Sequence, residues 1–156
     1  MKGGLLLLPH DAPDRLVEVA TLAERAGYDH FWLADERFFR EVYASLTLVA
    51  HHTSRLTLGT CVTDPYSRHP ALTAMAIATL DEIAGGRAML GLGAGISGFA
   101  ELGIRRDKPA RAIREAIVLI RRLLAGEEVD VRGEVVRLDH GRLDFTPRRA
   151  AIPIYV

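Results

Sequence analysis

Four times between Gly4 and Leu124 a short apolar run gives way to a longer stretch with helical spacing. The runs are GLLLL at 4–8, FWLAD at 31–35, LTLGTCV at 56–62 and RAMLGLG at 87–93. They are continuous rather than alternating, as in strands of a parallel sheet covered by helices. The stretches between them carry helix signals. Pro13 opens the first at a favoured position, Leu16, Ala20 and Ala23 share a face, and Gly27 closes it. The segment 42–52 places Val42, Leu46, Val49 and Ala50 together. Pro70 opens a third helix with Leu72, Met75, Leu80 and Ile83 on its expected face, ended by Gly85 and Gly86. A fourth runs from Pro109 to Leu124, with Ile113, Ile117, Ile120 and Leu124 inward, and Gly126 stops it. A strand–helix repeat of about 25 to 30 residues restricts the chain to an α/β fold with a parallel sheet.

After Gly126 the rhythm breaks. VDVRGEVVRLDHGRLDF alternates with period two around Gly133 and Gly141 and reads as a small antiparallel excursion. IPIYV at 152–156 then reads as a fifth parallel strand. Four βα units and a fifth strand make half of an eight-unit barrel of about 250 residues. The expectation is one domain over 1–156, the N-terminal portion of a barrel, as a fragment or a truncated relative. Open strand edges recruit partners. A piece of this kind is therefore expected not to bind a cofactor tightly, nor to behave as a well-folded monomer unless two copies pair.

Charge and composition exclude several classes. Twenty basic residues balance twenty acidic ones, which gives no electrostatic case for nucleic acid or an anionic membrane. No apolar run approaches the roughly 20 residues that span a bilayer. The LLLL at 5–8 follows one lysine and ends at Pro9, too short for the core of a signal peptide. A single cysteine excludes an internal disulfide. A cytoplasmic location is expected.

In parallel α/β folds ligands bind at the C-terminal ends of the strands. Here those ends carry Pro9-His10-Asp11, Asp35-Glu36-Arg37, Cys61-Val62-Thr63-Asp64 and the glycine-rich GLGAGISG at 91–98. Helix caps and turns also recruit Asp, Thr and Gly, so each loop alone is ambiguous. Four on one rim favour a shared ligand. GLGAGISG lacks the dinucleotide spacing and suits a backbone lining, through Gly93 and Gly95, beneath a planar ring. No His, Cys and Asp grouping has metal-ligand spacing.

The stretches AERAGYDHFWLADE, LTLGTCVTDPYSRHP, ATLDEIAGGRAMLGLGAG and KPARAIREAIVLIRRLLAGE together resemble the luciferase-like monooxygenase superfamily, and within it the methylenetetrahydromethanopterin-reductase-like branch. The resemblance implies a (β/α)8 TIM barrel of the bacterial-luciferase type. It implies an oxidoreductase using reduced FMN or coenzyme F420, by hydride transfer or oxygen activation, on a small organic substrate. The protein is then expected to be a homo-oligomer, a dimer. The family commonly carries a non-proline cis peptide on the third strand, and the matching bond is Cys61–Val62. Asp35, Cys61, Val62, Thr63, Gly93 and Gly95 are the implied cofactor-binding residues, with Thr63 and Asp64 facing the ring's polar edge. Glu36 and Asp35 are the candidate catalytic acids.

Three departures bear on the substrate. Several coenzyme F420 enzymes carry Asp-His after the second strand, where Asp35-Glu36 stands here. Glu36 can replace that histidine if burial raises its pKa; otherwise it is a solvated loop carboxylate or the ion-pair partner of Arg37. The reductase branch often has an Asp after its glycines, where this chain has Ile96, and its first-strand acid is missing, leaving only His10. These differences argue against methylenetetrahydromethanopterin itself. The alternative reading is a non-catalytic half-barrel that persists by pairing with a partner. His51 and His52 suit a helix C-terminus, and His69, before Pro70, suits a cap or a loop anchor.

Overall fold

The computed structural model describes residues 3–156. Strands β1 (Gly4–Leu7), β2 (His30–Leu33), β3 (Thr57–Thr60) and β4 (Ala88–Gly91) alternate with helices α1 (Pro13–Arg25), α2 (Val42–His52), α3 (Pro70–Ile83) and α4 (Pro109–Leu124). Strands β5 (Val129–Arg132) and β6 (Arg137–Gly141) form the antiparallel excursion, and β7 (Ile154–Tyr155) returns to the main sheet beside β4. That sheet has the order β1-β2-β3-β4-β7 with every neighbour parallel. Sequential order with right-handed crossovers puts all the covering helices on one face. There α1 packs on α2, α2 on α3 and α3 on α4.

Strand alternation separates the two faces. Phe31, Leu33, Leu58 and Leu90 point into the helix layer and are fully buried. Each such side chain contributes about 1.5–3 kcal/mol. The residues between them, Trp32, Gly59 and Met89, lie on the other face. The Trp32 ring meets that of Tyr155 edge-on at 5.4 Å, although β2 and β7 are three strand spacings apart, about 14 Å in a flat sheet. The sheet is therefore curled, with this face concave. Leu6, Leu8 and Tyr155 on the same side are all about half exposed. Among the described residues no helix is long and apolar enough to cross a membrane.

Helix α3 buries a different stripe from the expected one, whereas α4 buries two of its four expected residues and keeps the other two partly buried against the core. In α3 the buried residues are Pro70, Thr73, Ala74, Ile77, Ala78, Leu80 and Asp81, while Leu72, Met75 and Ile83 are close to half exposed. This helix is apolar nearly all round, so periodicity alone does not select a face. The small residues win because they let the helix approach its neighbours. In α4 the buried stripe is Ala112, Ala116, Leu119, Ile120, Leu123 and Leu124, and Ile113 and Ile117 sit at its margin. Helices α1 and α2 bury the expected residues.

The N-terminal rim of the sheet is tied by saturated polar groups. Glu24 accepts from the backbone amides of Ser54, Arg55 and Leu56 at 2.9, 2.6 and 3.0 Å. Burial opposes ionisation there, but the amides outweigh it and hold the Glu24 carboxyl below its ordinary range. Arg87 donates to the carbonyls of Ala84, Leu56, Ala50 and Thr53. Asp81, fully buried, accepts two hydrogen bonds from Arg149 at 2.9 and 2.6 Å and one from the amide of Ala88 at 3.0 Å. That fork joins α3, the start of β4 and the segment entering β7.

Candidate functional site

At the opposite rim β3 stops being regular. Its expected extent, 56–62, shortens to Thr57–Thr60, and the Cys61–Val62 peptide just beyond it is cis. Pairing resumes at an isolated bridge between Thr63 and Leu92. The Thr63 amide donates to the Gly91 carbonyl at 3.0 Å, and the Gly93 amide donates to the Thr63 carbonyl at 2.8 Å. Val62 is thereby pressed on Gly93, where a Cβ would lie 2.5 Å from a Val62 methyl carbon. Only glycine permits that approach. Cys61, Val62, Gly93 and Gly95 are all half-buried on this edge. Cys61 is a free thiol, and burial pushes its pKa up, which argues against a nucleophilic thiolate.

Asp35 follows β2 on the same rim. Thr63 is fully buried, and its hydroxyl donates to Asp35 Oδ2 at 2.5 Å, so its side chain acts as a strut behind Asp35. Burial raises the Asp35 pKa, while the Thr63 hydrogen bond and the Arg68 charge pull the other way; the balance is upward. Glu36 accepts from the Ser97 hydroxyl at 2.6 Å and from the Arg37 amide at 3.1 Å. The structure therefore brings Asp35, Glu36, Cys61, Val62, Thr63, Gly93 and Gly95 to one rim.

Two expectations need correction. Glu36 is not the ion-pair partner of Arg37; that partner is Asp64. Nor does Asp64 face outward toward a ring. It is 1% exposed and accepts from Arg37, from the amides of Tyr66 and Ser67 at 2.8 Å each, and from the Ser67 hydroxyl at 2.6 Å. The reason is local: an aspartate before a turn folds back onto the next free amides. Sequence reading placed Arg37 in the loop after the second strand but missed its pairing with Asp64.

The remaining candidates have structural partners. His69 caps α3, with Nδ1 accepting from the Ala71 amide at 3.2 Å, while Nε2 bonds the Arg137 carbonyl at 2.8 Å. It is therefore both cap and anchor. His51 and His52 are exposed at the end of α2. His10 stacks edge-on against Phe39 at 4.4 Å, and its carbonyl accepts from Arg40 at 2.6 Å. On the β5–β6 hairpin, Asp130, Asp139 and His140 bring one ligand atom each within 4.8 Å of the others. Sequence spacing did not show this group. All three are exposed, and His140 is hydrogen-bonded to Glu128 at 3.1 Å, so they read as a solvated charge cluster.

Comparison with known proteins gives a consistent result. The family described as luciferase-like monooxygenase matches residues 1–156. The 5,10-methylenetetrahydromethanopterin reductase of Methanolobus tindarius is 39% identical over 157 residues, covering 100% of this chain and 48% of that protein. The enzyme of the same name from Archaeoglobus fulgidus is 42% identical, covering 100% and 47%. The solved structure of a coenzyme F420 dependent tetrahydromethanopterin reductase from Methanopyrus kandleri superposes with a TM-score of 0.91 at 34% identity, over 98% of this chain and 49% of that one. The chain spans about half the length of these relatives. Its parallel sheet and βα order are those of luciferase-like TIM-barrel structures, of which it covers about half, and the chain belongs to the luciferase-like monooxygenase family.

Proposed function

We propose that residues 1–156 are a single domain, the N-terminal portion of a luciferase-like barrel, and form one side of the cofactor site of an oxidoreductase. The cofactor is coenzyme F420 or reduced FMN, and the substrate is a small organic molecule. One observation carries the reading: the half-buried Cys61–Val62 peptide, the Gly93 backbone pressed on Val62, and the strutted Asp35 share one rim. The residues fit a flat ring. Gly93 and Gly95 raise no side chain there, and a polar carboxyl stands at the margin for the ring's heteroatoms. The name of the Methanopyrus kandleri relative supports coenzyme F420; the wider family resemblance supports reduced FMN.

When bound, such a cofactor supplies a hydride or, as reduced flavin, electrons for oxygen chemistry. The chain's own residues position and protonate. Cys61 and Val62 would offer their backbone as a surface for the ring. Thr63 acts through Asp35, fixing Oδ2 so that the other carboxyl oxygen is directed by default. The upward shift of Asp35 favours a carboxyl that holds its proton beside a reacting centre. Glu36, steadied by Ser97, is a second acid one residue further out. The concave face bearing Leu6, Leu8 and Tyr155 is where further strands of a longer barrel would pack, and the assembled enzyme is a homo-oligomer.

The test is a titration of the protein as encoded by its gene with FMN and with coenzyme F420, followed by the ring's absorption. Saturable binding of one of them, weakened about tenfold or more by Gly93→Val, is expected. Saturation by neither cofactor would overturn the reading.

A further inference from the structure

We propose that Arg37 is a positioning residue that sets the glycine-rich loop 93–98 at a fixed height over the Cys61–Val62 peptide, and so fixes the width of the slot offered to a planar ring. The guanidinium lies where the loops after β2, β3 and β4 meet. Its side chain is 9% exposed and ion-paired with Asp64, itself 1% exposed. The second oxygen of Asp64 holds the amides of Tyr66 and Ser67, so the pair fixes the loop after β3 as well. Toward β4 the guanidinium carbon stacks 4.2 Å from the centre of the Phe99 ring, which is 8% exposed. Tyr66 meets that ring edge-on at 6.0 Å.

The glycines are shaped around this side chain. Gly95 and Gly98 have φ of 65° and 71°, in the region that disfavours any side chain. A Cβ at Gly98 would lie 2.7 Å from Arg37 Cβ, and one at Gly95 would lie 3.0 Å from its Nη2. Arg106 donates to the Gly95 carbonyl and stands 5.8 Å from the Phe99 ring, holding the loop from outside. Arg37 Nε is buried with no hydrogen-bond partner among the described residues, so the ion pair, a 3.3 Å hydrogen bond from Nη2 to Ser67 Oγ and the stack carry the placement. A planar guanidinium serves both contacts at once; a lysine ammonium keeps the charge and loses the flat stack.

The consequence for cofactor binding rests on the function proposed above, whereas the clamp itself does not. The two are therefore measured separately. Hydrogen exchange without cofactor is compared for the wild type, Arg37→Met, Arg37→Lys and Phe99→Leu. Phe99→Leu keeps the ion pair and removes the ring, which guards against a variant that merely fails to fold. The clamp is expected to show as exchange about tenfold faster at 93–99 in Arg37→Met, less in Arg37→Lys and in Phe99→Leu, with protection at Leu58, Ile77 and Leu90 within about twofold of wild type. Unchanged exchange at 93–99, or a parallel loss across the core in all three variants, would overturn it. Titration with FMN and coenzyme F420 then reads the slot. Weaker binding in Arg37→Met, partly restored in Arg37→Lys, is expected; wild-type affinity in a variant whose loop has loosened would refute the positioning role. A wild type that binds neither cofactor would sink the functional reading and leave the exchange result to judge the clamp.

Discussion

Both rims of the sheet carry charged side chains, and they use them in opposite ways. At the N-terminal rim every carboxylate described above is saturated. Glu24 takes three backbone amides, and Asp81 takes a fork from Arg149 and the Ala88 amide. At the C-terminal rim Asp35 has one hydroxyl donor, Glu36 is only partly engaged, and glycines replace side chains where loop and strand touch. Full partnering locks a fold; partial partnering leaves capacity for a ligand. The same parallel sheet thus sets saturated carboxylates at one rim and partly engaged ones at the other. Asp64 is the exception that clarifies the rule, since it is saturated on the C-terminal rim and holds Arg37.

The comparison can be broken most directly at Asp81. Asp81→Ala leaves the Arg149 guanidinium without its carboxylate and is expected to cost about 3–5 kcal/mol in urea denaturation. A cost under about 1 kcal/mol would show that the lower rim is not a lock. Gly93→Ala comes next. Its Cβ collides with Val62, so a loss of about 1–3 kcal/mol is expected, together with loss of ring binding. Unchanged stability would mean that the contact relaxes freely.

Asp35→Asn sharpens the contrast through pH. Burial raises the Asp35 pKa in the folded chain. The stabilising contribution of its protonated form is therefore complete below the ordinary aspartate value of about 3.9, and it is lost as pH rises through the raised value. The asparagine variant keeps an acceptor for Thr63 and avoids that loss. It is expected to be more stable than wild type by about 0.5–2 kcal/mol at neutral pH, with the gap closing in acid, while activity falls. A gap that widened in acid would reverse the assignment. The smallest effect is expected at Glu36→Gln, within about 0.5 kcal/mol in stability, with a change in turnover only.

Much of the architecture was legible in the sequence because continuous apolar runs, Pro at helix starts and Gly at helix ends act locally. The α2 and α4 boundaries, and the return of 152–156 beside β4, follow from such signals. The buried stripe of α3 was not, because Leu72 and Met75 are as apolar as Ile77, and small residues decide close approach only once the neighbours are in place. That Asp35, Cys61, Val62 and Gly93 share the C-terminal rim was legible from their place after the strands. The Arg37–Asp64 pair was not, since its 27-residue separation carries no periodic signal and Glu36 is the nearer carboxylate in sequence.

The central claim is that the C-terminal rim, and not the N-terminal one, is a surface for a planar redox ring. Amide NMR shifts of the ¹⁵N-labelled protein during titration with FMN and with coenzyme F420 test it even where binding is weak. The account predicts dose-dependent shifts at Cys61, Val62, Gly93 and Gly95 with at least one of the two, and none at Ser54, Leu56 or Ala88. Shifts at the N-terminal rim, or no shifts at either rim with either cofactor, would contradict it.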